Sequence, residues 1–448
     1  MEHIARTSIS RSPYRIRLVL FGNGERCPMI IDRETGLPLF QPTVWTLRQY
    51  RHRSAATIEQ ALRDAMLLHL FCRHRVIDLG QRLSTGDFLN PHEIDALVTF
   101  ARKPLSETGA LAPLTELAVR PARLKAPNVA SLGTRHMRRL PGAEQSPSLD
   151  NRSVTIRLHY VTSYLKWLGN LAQERIRLTA DAGRGDQDVS RSHGEGLRRL
   201  VEAILARQPG GGGGRRVALT PEQRTEVLRV TRPDSPDNPW QDPSVRVRNR
   251  LILLWLMCTG MRRGELLSVR IRDIRFGTGC VELKRTHDDK RDPRLRQPVA
   301  KGGERLAPLD EEVVELTQQY IAERGRTEAA RRHGFLFAAA NGAPLSLSSL
   351  TALFAALREA HPQLKPVSAH VLRHTWNEDF SAFADEVGMD RDDEDRTRRD
   401  LMGWSLHSKM PAVYGRRRAV AKANQFSMAM QRRMLGLADG VGAPDAQP

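Results

Sequence analysis

Five consecutive glycines, residues 210–214, interrupt the 448-residue chain near its middle. The surrounding stretch, residues 207–216, contains no aliphatic or aromatic side chain that a core would bury. Glycine-rich segments behave as flexible linkers, so one hydrophobic core cannot continue across this stretch. The sequence therefore predicts two folded units joined by a linker at residues 207–216. A weaker, polar break in composition runs from Thr179 to Gly196.

The charge of the chain indicates the kind of partner it binds. It carries 70 Lys and Arg residues against 51 Asp and Glu residues, a formal net charge of +19. Such an excess attracts polyanions and points to nucleic acid. The alternative on charge alone is an arginine-rich composition without a nucleic-acid partner. A membrane surface is disfavoured because the positive charge is spread along the chain and not gathered in one amphipathic segment.

Composition also limits the class of protein. Hydrophobic residues make up 40% of the chain, which is enough for buried cores. The longest strongly apolar run, Leu251–Cys258, is far shorter than the roughly 20 residues of a membrane-spanning helix, so we expect no membrane partner. Disulfides and a zinc site are not expected, and the reducing cytoplasm is the expected compartment, because the four cysteines are widely spaced and form no CxxC pair.

The first half of the chain reads as a helical unit preceded by an extended arm. Tyr14–Phe21 alternates like a strand and ends at a glycine turn. Helical periodicity begins at Thr57, at Asn90 and after Ser153, which is expected to cap its helix. Several basic residues of this half are candidates for facing phosphate or, equally, for a solvated helix surface: Arg48, Arg51, Arg53, Arg73, Arg75, Arg135, Arg138 and Arg139.

The second half predicts mainly helices around a small sheet. Thr220-Pro221 is a helix start, and the buried helix Arg250–Cys258 ends at Gly260. Gly279–Lys284 and Pro298–Leu309 read as strands, the second with a tight turn at Lys301-Gly302-Gly303 flanked by Val299 and Leu306. The expected fold class is mainly α with a small antiparallel β-sheet.

Four groups of residues in the second half are candidates for chemistry. Arg262 follows the helix break at Gly260, and Glu265 lies one turn on, where it can pair with the guanidinium. A helix capped by Ser368 places His370, Arg373 and His374 on one face, and converging cations of this kind suit a phosphodiester. Taken alone, each pattern is equally compatible with a solvated polar helix face.

The other two groups are Lys301 in its glycine turn, and Gly403-Trp404 followed ten positions later by Tyr414. A turn lysine is ordinarily a solvated residue, although the flexible glycines would let this one reach into a groove. Tyr414 lies in a strongly basic context (Tyr414-Gly415-Arg416-Arg417-Arg418), and its alternative role is a half-buried aromatic anchor.

Taken in order, these residues resemble the tyrosine recombinase (phage integrase) family. The matching pattern is a T-G-hydrophobic-R-x-x-E-L box at Thr259–Leu266, a hairpin lysine, H-x-L-R-H, a Gly-His or Gly-Trp pair, and a nucleophilic tyrosine. The resemblance covers roughly Leu219–Gln431, and the first half resembles the family's helical core-binding module in layout only. It implies five segments: an N-terminal arm (1–40), a helical core-binding domain (41–206), the linker (207–216), an α+β catalytic domain (217–437) and a disordered tail (438–448).

The resemblance also implies a role for each candidate residue. Tyr414 would attack the scissile phosphate and form a 3′-phosphotyrosine link, with neither ATP nor a metal required. Arg262 and Arg373 would clamp the non-bridging oxygens, Lys301 would protonate the leaving 5′-oxygen, and His370 would assist removal of the tyrosine proton. Trp404 stands where most relatives carry a histidine and, being a donor only, cannot transfer a proton. Glu265 and His374 would support the site.

The family further implies double-stranded DNA as the partner, a homotetramer acting on two sites, and integration or recombination of DNA. The apolar segment Ala421–Leu437 would dock on a neighbouring protomer or on its own domain. Two stretches, residues 385–395 and Thr286–Arg296, are longer than in compact relatives and are interpreted as surface insertions, the acidic one alternatively as a contact to a basic protomer. Accessory proteins, and the role of the N-terminal arm, are left open.

Three other functions remain as alternatives. A type IB topoisomerase-like enzyme would use the same nucleophile to relax supercoils. A non-catalytic architectural protein would keep the fold and bind DNA only. A metal-dependent nuclease is the least favoured, because no cluster of carboxylates accompanies the Arg and His residues.

Overall fold

The computed structural model describes residues 12–111, 148–179, 184–210, 218–285, 288–300, 302–405, 407–408, 410, 423–424 and 426–434. The chain divides into two compact units, Met1–Gly214 and Arg215–Pro448. Both are mainly helical and each holds a small antiparallel sheet, which confirms the predicted fold class. Within these ranges, every helix is too short or too polar to cross a membrane.

The first unit combines a β-hairpin with a set of helices. The hairpin strands pair antiparallel from Tyr14↔Asp32 to Leu20↔Arg26. The elements, in chain order, are β1 (Tyr14–Leu20), β2 (Arg26–Asp32), α1 (Phe40–Gln49), α2 (Ala55–Arg75), α3 (Leu79–Thr85), α4 (Pro91–Ala101), α5 (Leu105–Thr108), α6 (Asn151–Thr179) and α7 (Arg184–Ala206).

Side-chain caps determine where several of these helices begin. The Ser54 hydroxyl accepts a hydrogen bond from the Thr57 amide at the start of α2. Asn90 and Glu93 form a reciprocal capping box at the start of α4, as the Asn90-Pro91 signal predicts. The expected cap at Ser153 is wrong, because the Asp150 carboxylate accepts from the Ser153 amide at 2.9 Å and α6 has already begun.

The β-hairpin belongs to the core of the first unit. Ile30 on β2 has no exposed surface, and it packs in one cluster with Trp45, Leu62 and Leu158. The structure therefore differs from the extended arm expected before Gln41, because Ile30 of β2 packs on the apolar surface of the helices. Residues 1–11 of that arm lie outside the described residues.

The polar break expected from Thr179 to Gly196 is largely helical. Helix α7 covers its second part from Arg184 onward, and Leu197, Leu200 and Ile204 are buried at helical spacing. Exposed charged residues such as Arg191 and Glu195, together with Gly194 and Gly196, lowered the apolar content of the segment without interrupting the helix. The end of the expected linker, residues 211–216, lies outside the described residues.

The second unit places helices around a three-stranded sheet of order β3–β4–β5. Its core includes Trp255, Val281, Leu336 and Leu357. The elements are α8 (Pro221–Val230), α9 (Pro243–Thr259), α10 (Arg263–Ser268), β3 (Ile274–Arg275), β4 (Cys280–Leu283), β5 (Arg305–Pro308), α11 (Glu311–Arg324), α12 (Glu328–Arg331), α13 (Leu347–Ala360), α14 (Ala369–Glu386) and α15 (Arg391–Met402).

Strand β5 is shorter than its prediction. It begins at Arg305 and not at Pro298, and it pairs antiparallel with β4 through Leu283↔Arg305. Leu306, which flanks the predicted turn, is 46% exposed. The side chain of its neighbour Arg305 is only 6% exposed. Alternation along a strand places adjacent side chains on opposite faces, and here the buried arginine has ion-pair partners that compensate for its burial.

The two expected surface insertions contain buried ion pairs. In the acidic stretch, Asp390 caps α15 and Glu394 is buried against Arg398. In the other stretch, the Arg294 guanidinium pairs with Asp292 at 2.8 Å and donates to the carbonyl oxygens of Leu267 and Leu345. Neither stretch is a solvated insertion throughout, although residues 286–287 lie outside the described ranges.

Replacing Leu158 with Ala tests the core of the first unit. Leu158 has no exposed surface, so Leu158→Ala is expected to lower the free energy of unfolding by about 2–5 kcal/mol through lost burial and a cavity. Leu178→Ala, on the same helix at 78% exposure, is the matched control and should change it by less than about 0.5 kcal/mol. Equal effects in urea unfolding of the two variants would contradict the described core.

Candidate active site

Arg262 lies at the N-terminal end of α10 and is held there by Glu265. The Arg262 side chain donates from Nη1 to Glu265 Oε1 at 2.9 Å, and its amide donates to Oε2 at 2.9 Å. The Glu265 side chain is only 1% exposed, whereas that of Arg262 is 29% exposed. The carboxylate therefore fixes an arginine whose guanidinium is partly accessible to a ligand.

A second arginine, which the sequence analysis did not single out, completes this group. Arg305 Nη2 donates to Glu265 Oε2 at 2.8 Å, and its Nε donates to the Leu401 carbonyl oxygen at 2.8 Å. The sequence signal was its place in the predicted hairpin strand, four residues after Lys301.

The two arginines determine the ionisation of Glu265. Burial alone would raise the pKa of this carboxyl group. The hydrogen bond and charge of Arg305, together with the amide and charge of Arg262, outweigh that effect and lower its pKa to about 2. Glu265 is therefore a carboxylate at neutral pH, and the three side chains together carry one net positive charge.

The turn that follows Lys301 packs directly on this group. A Cβ atom added to Gly302 would lie 2.7 Å from Glu265 Oε1 and 3.0 Å from Arg262 Nη1. A Cβ on Gly264 of α10 would lie 2.3 Å from the Val299 carbonyl oxygen, on the other side of the turn. Only glycine permits both approaches. Lys301 itself lies outside the described residues, and its two neighbouring segments adjoin Arg262 and α10.

Helix α14 brings the predicted His and Arg residues onto one face. Ser368 caps it by accepting from the Val371 amide, as predicted. The Nε2 atoms of His370 and His374 are 2.8 Å apart, so one ring donates and the other accepts. His370 is exposed and His374 is buried. This pairing orients the exposed imidazole.

Arg373 connects α14 to the turn that carries Arg262. Its Nη1 donates to the Gly260 carbonyl oxygen at 2.7 Å, two residues before Arg262. Trp376, one turn further along α14, donates from Nε1 to the Cys258 carbonyl oxygen at 2.9 Å. Two hydrogen bonds therefore join the end of α9 to α14. Arg262 belongs to the turn after α9, and Arg373 is bonded to that turn at Gly260.

The end of α15 brings Trp404 to the same region. Gly403 ends the helix, and its carbonyl oxygen accepts from the Gly303 amide at 3.0 Å. The Arg373 guanidinium carbon lies 5.8 Å from the centroid of the Trp404 ring. Trp404 is half-buried, so it packs beside Arg373 at the end of the helix.

The structure thus brings together Arg262, Glu265, Arg373 and Trp404 through shared contacts, with His370 and His374 on the helix of Arg373. Tyr414, like Lys301, lies outside the described residues. Within the described ranges, no group of three or more His, Cys, Asp or Glu side chains has the arrangement of a metal site.

Five of the basic candidates in the first unit, Arg48, Arg51, Arg53, Arg73 and Arg75, are exposed. Arg51 pairs with Glu25 at 3.0 Å. The remaining three, Arg135, Arg138 and Arg139, lie outside the described residues. The exposure of the first five is compatible with both expected roles, contact with phosphate and a solvated helix surface.

Comparison with known proteins finds a family match in the second unit. Residues 234–382 match the model of the phage integrase family. This segment includes Arg262, Glu265, His370 and Arg373. Over these residues the chain is therefore similar to the phage integrase family.

Curated relatives are similar to part of the chain. It is 29% identical over 161 residues to tyrosine recombinase XerD of Halalkalibacterium halodurans, covering 36% of this chain and 46% of that protein. It is 35% identical over 134 residues to the putative integrase/recombinase y4rF of Sinorhizobium fredii, covering 29% of this chain and 28% of that protein. The chain thus spans less than half the length of each.

Solved structures with a similar course of the chain include the Tn1549 transposon integrase in complex with a circular intermediate DNA. That similarity has a TM-score of 0.37 and 18% identity, and it covers 56% of this chain and 80% of the other. XerH recombinase bound to its difH substrate has a TM-score of 0.34 and 16% identity, and it covers 61% of this chain and 82% of the other.

Acid titration tests the ionic group around Glu265. Because the pKa of Glu265 falls from 4.5 to about 2 on folding, its contribution to stability is present above pH 4.5 and is lost as the pH falls toward 2. Glu265→Gln removes this contribution, roughly 3 kcal/mol at neutral pH. The difference in unfolding free energy between wild type and variant should therefore shrink between pH 5 and pH 3.

Glu226→Gln is the control for that titration. Glu226 pairs with Arg229 on the surface of α8 at 2.8 Å, where solvent screens the interaction. Its replacement should leave the unfolding free energy almost unchanged at both pH values. A difference for Glu265→Gln that does not vary with pH would contradict the assigned ionisation.

Proposed function

We propose that this protein is a site-specific DNA recombinase that cuts and rejoins double-stranded DNA through a covalent 3′-phosphotyrosine intermediate. It acts in the cytoplasm on recombination sites of a mobile element, as a homotetramer on two sites. Its nucleophile is Tyr414, and its activating residues are Arg262, Lys301, His370, Arg373 and Trp404. The first unit binds DNA as the core-binding domain, and the second unit is the catalytic domain.

The observation that carries this proposal is the attachment of Arg262 and Arg373 to one turn. Arg262 is fixed by Glu265, and Arg373 is bonded to the carbonyl oxygen of Gly260. Two guanidinium groups held at one place suit the non-bridging oxygens of a phosphodiester, whose transition state carries additional negative charge. The match of residues 234–382 to the phage integrase family model supports the same chemistry.

The proposed cleavage step is a transesterification. The phenolic oxygen of Tyr414 forms a bond to phosphorus while the bond from phosphorus to the 5′-oxygen breaks. His370 accepts the phenolic proton, and Lys301 donates a proton to the departing 5′-oxygen. The number of phosphoester bonds is conserved, so the reverse step, attack by a 5′-hydroxyl, rejoins DNA without ATP.

The positions of His370 and Trp404 agree with these roles. His370 is the exposed member of a histidine pair whose other member, His374, is buried. A buried partner restricts the ring of His370 and aligns it for proton transfer. Trp404 contributes an indole N–H donor and packs beside Arg373, which suits phosphate binding but not acid catalysis.

DNA binding is supported by the net charge of +19. Phosphate contacts release counterions, so affinity is expected to fall steeply as salt rises. Assembly is supported by the C-terminal segment, where residues 426–434 are helical and Phe426 and Met434 are 74% and 78% exposed. Such an apolar surface suits docking on a neighbouring protomer.

Replacing the nucleophile tests the proposal directly. Tyr414→Phe removes the attacking oxygen and leaves the rest of the chain intact, so DNA affinity should be unchanged while the covalent adduct is lost. The measurement uses labelled duplexes, nicked near candidate sites in the DNA flanking the gene, and denaturing gels with and without protease. Wild-type protein should give a protease-sensitive shifted band.

Tyr320→Phe is the matched control, because Tyr320 is buried in the second unit and its hydroxyl accepts from the Ala338 amide. This variant should still form the adduct.

Adduct formation should also persist in excess EDTA. A covalent band from Tyr414→Phe would mean another nucleophile, and salt-sensitive binding without any wild-type adduct would favour an architectural protein. A two-site strand-exchange assay then separates recombination from supercoil relaxation.

A modified leaving group tests the role of Lys301. Lys301→Ala should slow single-turnover cleavage by about 10²- to 10⁴-fold, the usual contribution of a general acid. A duplex with sulfur in place of the scissile 5′-oxygen has a leaving group that needs no proton. The variant should therefore cleave this duplex at nearly the wild-type rate, and an equal defect on both duplexes would show that Lys301 is not the acid.

A further inference from the structure

Arg305 contacts three separate parts of the candidate site. Its Nη2 bonds to Glu265, the residue that fixes Arg262, and its Nε bonds to the Leu401 carbonyl oxygen near the end of α15. The side chain is 6% exposed. An arginine this buried makes its contribution through these contacts and not as a solvated surface charge.

The third contact involves the remaining nitrogen, Nη1. A Cβ atom added to Gly302 would lie 3.0 Å from Nη1, and one added to Gly403 would lie 2.8 Å from it. The guanidinium therefore fills the space between the residue after Lys301 and the residue before Trp404. Movement of Arg305 would alter the spacing of both candidate residues at once.

The charge of Arg305 affects how Arg262 interacts with an anion. Glu265 carries one negative charge and bonds to both arginines. With Arg305 present the group has one net positive charge; without it, Glu265 would cancel the charge of Arg262. At short range in a poorly solvated site, that difference is large for a bound phosphate.

We infer that Arg305 is a positioning residue for the proposed strand cleavage. It neutralises Glu265, so that the charge of Arg262 acts on the scissile phosphate. It also connects the turn after Lys301 to the end of α15 before Trp404. This inference rests on the proposed function, and Arg305 does not itself touch the DNA.

Single-turnover cleavage of a nicked duplex by the full-length chain tests this role. Arg305→Met should reduce the cleavage rate by roughly 10²-fold, the size expected when catalytic groups are misplaced. DNA affinity should stay within about twofold, because phosphate contacts elsewhere supply most of the binding. Arg305→Lys should restore part of the rate, because it keeps the charge but not the planar set of donors. Arg324→Met, a buried arginine bonded to the carbonyl oxygens of Ala330 and His333, is the matched control for lost packing.

Two readouts separate positioning from a purely structural effect. Adding Glu265→Gln to Arg305→Met removes the uncompensated carboxylate and should raise the rate above that of Arg305→Met alone. A duplex with a methylphosphonate at the scissile position lacks the negative charge that Arg262 meets, so the defect of Arg305→Met should be smaller on this duplex.

The inference is overturned if Arg305→Met cleaves like wild type. The inference is also overturned if three results occur together. The cleavage defect of Arg305→Met equals that of Arg324→Met, it is the same on the unmodified and the methylphosphonate duplex, and Glu265→Gln does not relieve it. If Arg305→Met fails to fold, Arg305→Gln takes its place on the two duplexes, because it removes the charge and keeps an amide donor; equal defects on both duplexes would then reject the charge effect. Failure of wild-type protein to form any adduct would instead reject the proposed function.

Discussion

A single buried carboxylate, that of Glu265, holds the candidate site together. Removing a carboxylate from water is costly unless charge and hydrogen bonds compensate for the lost hydration. Glu265 obtains both from Arg262 and Arg305, which belong to parts of the chain about 40 residues apart in sequence. The N-terminal end of α10 and the beginning of β5 therefore meet at this carboxylate, whose Oε1 accepts from the Arg262 guanidinium and whose Oε2 accepts from the Arg305 guanidinium.

Main-chain carbonyl groups extend this arrangement to the other elements. Arg373 bonds to Gly260, Arg305 bonds to Leu401, and the Gly303 amide bonds to Gly403. Each of these carbonyls lies at or beside a helix end, where backbone acceptors have no partner within the helix. The site thus forms where α9 and α15 end, and its cations occupy positions that the helix ends would otherwise leave to water.

Much of this arrangement was predictable from local sequence. Asn90, Thr220 and Ser368 mark helix starts because their side chains bond to nearby amides, a short-range effect that needs no tertiary information. The position of Arg262 after a glycine and of His370 one turn before His374 followed from helix geometry alone. The family pattern then connected these residues, although their contacts with one another depend on the fold.

The errors arose where tertiary partners outweighed local pattern. Arg305 was not recognised as a site residue, because its burial depends on the contact with Glu265, which no strand periodicity reveals. Glu394 was assigned to a solvated insertion, but Arg398 and Ser381 accompany it into the interior. In α7, exposed charged residues and two glycines obscured a helix that buries Leu197, Leu200 and Ile204. In each case the missing information was which element packs alongside.

The contact between Gly264 and the Val299 carbonyl oxygen has a consequence for how such a protein diversifies. A main-chain atom meets a residue without a side chain, so the spacing between α10 and the segment before Lys301 does not depend on any rotamer. Outward-facing residues of the hairpin, such as the exposed Leu306, can therefore vary in sequence without disturbing that spacing. A lineage of such chains can change its outer surface while the geometry around Arg262 stays constant.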